Sequence, residues 1–207
     1  MERWYQRGYN NFMTTSEIGL REKILRTAKS LFIQQGYHGL AMRQISEAVG
    51  VSKAALYYHF KDKEELFLAI LSSNLDELEK AIDDIQSKQI SCSEKIVSFV
   101  EYVLKQPAEQ RAIIRLASQE ISQLSATSRK KFDKTYHDQF IGKLQAIFQA
   151  GIENREFRSM DSAVATWALL GIMYPYFYPA HTGATPVRPE IINQIISIYM
   201  NGVTQSS

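Results

Sequence analysis

From Asp62 to Gln86 the chain places Leu66, Phe67, Ile70, Leu71, Leu75, Leu78, Ile82 and Ile85 at the spacings of a single helical face. A strand, whose side chains alternate with period two, would scatter that set over both of its surfaces. A helix gathers it into one stripe of about six turns, with Asp62 and Glu65 as the cap pair that starts it. The same spacing recurs through most of the chain, and no stretch sustains strand alternation between turns. These patterns predict an all-α protein.

The remaining helix boundaries follow from caps and breakers. Thr14 and Glu17 form a capping pair ahead of Ile24, Leu25, Ala28, Leu31 and Phe32, and Gly36 supplies the left-handed residue that ends that helix. A short stripe at Met42, Ile45 and Val49 ends at Gly50, and Ser52 caps the next helix, with Leu56 facing inward. Ser91 and Glu94 cap a helix that stops before Pro107, which opens another as its first-turn residue. One helix is predicted over 126–154, and Asp161 caps an apolar one running to 178. Pro189 opens a last, isoleucine-rich helix to 203, after a Pro-, Gly- and Thr-containing loop at 179–188.

Composition removes several classes. With 45% hydrophobic and 22% charged residues the chain can fill a core. The lone Cys92 closes no intrachain disulfide, and residues 1–13 hold no apolar run of a signal peptide, so a reducing, cytoplasmic setting is expected. Ala163 to Ala180 is uncharged, but Pro175 and Pro179 interrupt it, so it reads as a core or interface helix and not as a membrane span. A net charge of +2 does not argue for nucleic acid by itself; the placement of the charges must.

That placement is unusual at 49–66, VGVSKAALYYHFKDKEEL. A short helix, a glycine turn and a second short helix beginning at a serine form the helix-turn-helix arrangement, whose second helix projects into a DNA major groove. Leu56 and Phe60 face inward, leaving Lys53, Ala54, Ala55, Tyr57, Tyr58 and His59 outside. Small Ala54 and Ala55 admit close approach to base edges and thymine methyls, and Lys53 can donate to guanine. Tyr57, Tyr58 and His59 can donate to phosphate, with Lys63 in the first turn of the long helix as a further anion contact.

The stretches ILRTAKSLFIQQGY (24–37) and MRQISEAVGVSKAALYYHFKDKEELF (42–67) closely resemble the DNA-binding domain of the TetR/AcrR family of bacterial transcriptional regulators. The resemblance implies base-facing positions at Arg43, Lys53, Ala54, Ala55 and Tyr57, and backbone-facing ones at Ser52, Tyr58, His59 and Lys63. It implies a helix-turn-helix domain over 15–65, joined by the long helix to a ligand-binding and dimerisation domain over 66–207. The function expected is a ligand-responsive regulator, by the family's habit a repressor, that binds a palindromic operator as a homodimer and is released by a hydrophobic small molecule. The chain departs from the family pattern at Leu40, Ala41 and Met42, where many members carry a threonine pair, and at Arg155, near which they tend to carry glycine.

The sequence supports each part of the larger domain. Small Ala163, Ala165, Ala168 and Gly171 allow close helix approach, so 161–178 and 189–203 can build a symmetric four-helix dimer interface, or else serve as monomer core. Phe99, Tyr102, Tyr136, Phe140, Trp167 and Tyr174 can wall a pocket for an apolar effector, with Arg115 or His137 near an anionic head group. No catalytic, metal or cofactor motif is present: the four histidines lack metal-ligand spacing, and no nucleophile elbow or phosphate loop occurs. His137 beside Asp138 reads as a solvated pair. An alternative reading is a helical protein-interaction module with no specific DNA site.

Overall fold

The computed structural model describes residues 15–178 and 186–204. The Thr14 cap, residues 1–13 and the loop over 179–185 lie outside the described residues. Helices α1 (Thr15–Gln35), α2 (Met42–Val49), α3 (Lys53–His59) and α4 (Lys63–Gln86) are followed by α5 (Cys92–Leu104) and α6 (Ala108–Glu120). A 3₁₀ turn at Ile121–Gln123 leads to α7 (Ala126–Tyr136). A π turn (His137–Ile141) then joins α7 to α8 (Gly142–Glu153). Helix α9 (Ser162–Met173), a 3₁₀ turn (Tyr174–Phe177) and α10 (Pro189–Val203) complete the order. Among the described residues no strand forms; Phe157 and Thr204 make a lone antiparallel bridge.

The chain divides into two compact units between Ile70 and Leu71, inside α4, whereas the sequence reading drew the line after residue 65. In the first unit, Ile24, Ala28 and Phe32 of α1 are fully buried, as are Ile45, Leu56, Leu66 and Phe67. The Phe67 ring lies 5.0 Å from that of Phe32 and 5.1 Å from that of Tyr37, so α4 begins as part of this core. In the second unit the core comprises Phe99, Leu104, Leu144, Phe148, Phe157, Leu169 and Ile192. The Tyr199 hydroxyl donates to the Ala165 carbonyl at 2.6 Å and fixes α10 against α9. A Cβ on Gly151 would stand 2.3 Å from the Phe157 ring, so only glycine admits that ring.

The caps at Asp62, Ser91 and Asp161 hold as read. The Asp62 carboxylate accepts from Glu65 N–H at 2.8 Å, Ser91 and Glu94 form a reciprocal box, and Asp161 accepts from the N–H groups of Ala163 and Val164. Pro107 is the cap of α6, one place before the first turn in which it was expected. No described helix is long and apolar enough to cross a membrane.

Two expected helices are corrected. The one over 126–154 is broken by the π turn, whose extra residue lets Phe140 and Ile141 both reach the core while Gln139 donates to Asp76 and Glu79 of α4. Lys143 extends that seam to Glu79 and Asp83. The helix over 161–178 ends at Met173, because Pro175 offers no N–H and its ring crowds the preceding turn.

Candidate nucleic-acid interface

The turn between α2 and α3 closes on Gly50, whose φ of 78° is left-handed and whose N–H donates to the Ser46 and Glu47 carbonyls. A side chain there would be strained, which is why a glycine ends α2. Ser52 then accepts from Ala55 N–H at 3.1 Å and starts α3. Leu56 and Phe60 are buried, and the Arg21 guanidinium lies over the Phe60 ring at 5.0 Å. The opposite face of α3 is open: Lys53 and Ala54 are exposed, Ala55 and His59 are half-buried, and Tyr57 and Tyr58 are 49% and 70% exposed. His59 lies edge-on to Tyr58.

Arg43, Lys53, Tyr57 and Lys63 meet along one open groove of about 570 Å³ between the starts of α2 and α3 and the turn before α4. Two of them also have protein partners. Arg43 is ion-paired with Glu47 at 3.3 Å on the exposed side of α2. The Lys63 ammonium donates to the Tyr37 and Leu40 carbonyls at 2.7 and 3.0 Å and stands 4.3 Å from the Tyr37 ring centre. Lys63 therefore braces the turn after α1 besides edging the groove.

Without the threonine pair, Ala41 caps α2 with no side-chain acceptor for the first-turn N–H groups, and only the other half of a capping box is made: Gln44 Oε1 accepts the Ala41 N–H at 2.7 Å. Sequence reading passed over Gln44. A glutamine three places after a cap that has no hydroxyl was the available signal.

Among the described residues, the expected effector residues are found in several separate places. Trp167 is 54% exposed, with Val164 and Ile198 at 65% and 67%, so it belongs to an outer apolar face. A helix that is apolar all round cannot announce which side its own chain covers. Phe99, Tyr136 and Phe140 pack on one another, with ring centres 6.0 Å (Phe99–Phe140) and 5.3 Å (Tyr136–Phe140) apart. Burial pushes the Tyr136 hydroxyl up to about 12. Tyr102 lines a separate space beside Leu78 and Arg111 with room for about 20 Å³, the size of one water and far below a ligand pocket. Tyr174 shares hydrogen bonds with Ser118 and Tyr178, Arg115 lies over the Tyr178 ring, and His137 stays exposed beside Asp138. Arg111, which the sequence reading did not single out, is buried and donates to the Leu104, Gln106 and Tyr176 carbonyls. It ties the end of α5 to the turn after α9, where the helix dipole favours a cation.

Residues 24–70 match the family described as bacterial regulatory proteins, tetR family, and residues 89–176 match the tetracyclin repressor-like C-terminal domain. The HTH-type transcriptional regulator QacR of Staphylococcus aureus is 31% identical over 199 residues, covering 91% of this chain and 100% of that protein. A tetR-family regulatory protein from Rhodococcus RHA1 shares the fold at a TM-score of 0.78 and 22% identity, over 91% of this chain and 98% of that one. AibR, solved with isovaleryl coenzyme A and operator DNA, gives a TM-score of 0.72 at 22% identity, over 89% and 98%.

Proposed function

Since the chain belongs to the TetR family of transcriptional regulators, DNA-binding proteins and not enzymes, we propose that it acts in the cytoplasm as a homodimeric repressor of a palindromic operator. The observation that carries this reading is the convergence of Arg43, Lys53 and Tyr57 on one open groove, beside an α3 whose outer face is cationic and aromatic. In this reading Lys53, Ala54, Ala55, Tyr57 and Arg43 face bases, while Ser52, Tyr58 and His59 face phosphates. Lys63 edges the same groove at the backbone-facing side and braces the turn after α1. Two copies then span half-sites about 34–36 Å apart or a multiple of that distance.

The dimer forms through α9 and α10, where Val164, Trp167 and Ile198 are exposed. A hydrophobic small molecule enters the larger unit by parting the Phe99–Tyr136–Phe140 cluster or the narrow space beside Tyr102. AibR, solved with an acyl coenzyme A and operator DNA, illustrates one such pairing of ligands in a protein of this fold. Because α4 is continuous from one unit into the other, a ligand that prefers one of its positions changes operator affinity; equal preference changes nothing. The exposed α9–α10 face also suits the alternative of a partner-binding module, which predicts a monomer.

The test is titration of DNA spanning the gene's own upstream region, across a salt series, with wild type and Lys53→Ala. Tight binding to a palindrome, relaxed in specificity by Lys53→Ala, supports the reading. No preference over random duplex for that DNA or for a selected library rejects it.

A further inference from the structure

We propose that Gln44 is a DNA contact: its side-chain amide nitrogen donates to an operator phosphate while its oxygen holds the start of α2. The proposal rests on the operator-binding reading and adds a residue to it. Ala41 N–H can only donate, so the atom 2.7 Å from it must be the Gln44 carbonyl oxygen, which fixes which way round the amide sits. The nitrogen, with two N–H donors, is therefore turned away from that backbone, and among the described residues no protein group accepts from it. Gln44 is exposed and lines the same groove as Arg43, Lys53 and Tyr57.

A pinned donor at this place suits phosphate better than a base. The first helix of a helix-turn-helix crosses the backbone while the second enters the groove, and phosphate oxygens only accept. Ala41 and Met42 carry no hydroxyl that could reach a phosphate at this helix start. Gln44, whose oxygen is already engaged by the Ala41 N–H, is the neighbouring residue with a polar donor to spare.

The experiment is a double-mutant cycle between Gln44→Ala in the full chain and operator duplexes in which single phosphates are replaced by neutral methylphosphonates. Gln44→Ala is expected to weaken the native operator about fivefold, the worth of one hydrogen bond. One methylphosphonate position per half-site should remove that difference, and the salt slope should stay unchanged because the amide carries no charge. Gln44→Glu keeps an acceptor for Ala41 N–H and adds a favourable charge at a helix start, so its thermal midpoint should match or exceed wild type while its operator affinity falls at least as far.

Equal losses for Gln44→Ala at every methylphosphonate position, or wild-type affinity in Gln44→Glu, would overturn the proposal and leave Gln44 a solvated cap. Failure of the wild type to prefer operator over random duplex would instead remove the operator-binding reading, and the proposal with it.

Discussion

The ammonium of Lys63 lies 2.7 Å from the carbonyl of Tyr37, a residue 26 places earlier and in the turn that follows α1. A second bond to Leu40 and the Tyr37 ring face add to its surroundings. A cation that sequence reading assigned to DNA thus also joins the end of α1 to the start of α4. Lys63→Met should cost about 2 kcal/mol of folding stability, the range for charge-assisted bonds that are partly shielded from water. Lys53→Ala, which removes an exposed side chain, should cost less than about 0.5 kcal/mol of stability and narrow the preference for operator over random duplex. Urea unfolding of both variants, read beside their operator preference, separates brace from contact.

Arg43 is held by Glu47 at 3.3 Å, on a surface where both side chains are largely exposed. Such a pair adds little to stability, so Glu47→Gln should leave the unfolding midpoint within about 0.5 kcal/mol of wild type. It frees the guanidinium and removes a negative charge from the DNA side. Affinity for DNA should rise several-fold at low salt, with the gain shrinking as salt rises. Anisotropy titration at two ionic strengths checks this.

Arg155 occupies the left-handed region, with φ of 61°, in the turn after α8. Its N–H donates to the Ile152 carbonyl, so the conformation is held by the turn's own hydrogen bonding. The left-handed penalty for a side-chain-bearing residue is about 1–2 kcal/mol, offset in part by the greater freedom of glycine in the unfolded chain. Arg155→Gly should therefore stabilise the protein by about 0.5–1 kcal/mol, and calorimetry would register a higher thermal midpoint.

Tyr136 retains its proton in the fold up to about 12, because burial disfavours the phenolate. The unfolded side chain ionises near 10, so below that pH both states are neutral and the contribution is intact. Between about pH 10 and 12 the unfolded chain releases the proton first, and stability falls as pH rises. The full loss from this residue is about 3 kcal/mol, most of it complete by pH 11.5, and Tyr136→Phe should show a correspondingly shallower decline in urea midpoints between pH 9 and 11.5. An identical decline in both proteins would assign the alkaline sensitivity to other tyrosines.

Trp167 is half exposed in the single chain, flanked by Val164 on α9 and accompanied by the exposed Ile198 of α10. If these residues meet their copies, a charge at the centre is repelled by its own symmetry mate. Trp167→Glu should shift light scattering from dimer to monomer and weaken operator binding at least tenfold by separating the half-site contacts. A wild-type monomer would favour the interaction-module reading.

Local chemistry alone determined the helical class, the caps at Ser52, Asp62, Ser91 and Asp161, the turn at Gly50 and the inward choice of Leu56 and Phe60. Each depends on residues within one or two helical turns of one another, so spacing carries the information. The π turn at His137–Ile141 sets Gln139 against distant acids of α4, a pairing that local spacing does not carry. The cation sites depended on Tyr37 for Lys63 and on the Tyr176 carbonyl for Arg111, partners 26 and 65 residues away. Whether Trp167 faced a cavity or the outside was likewise decided by packing, since an apolar side chain has the same spacing in a core as on an interface.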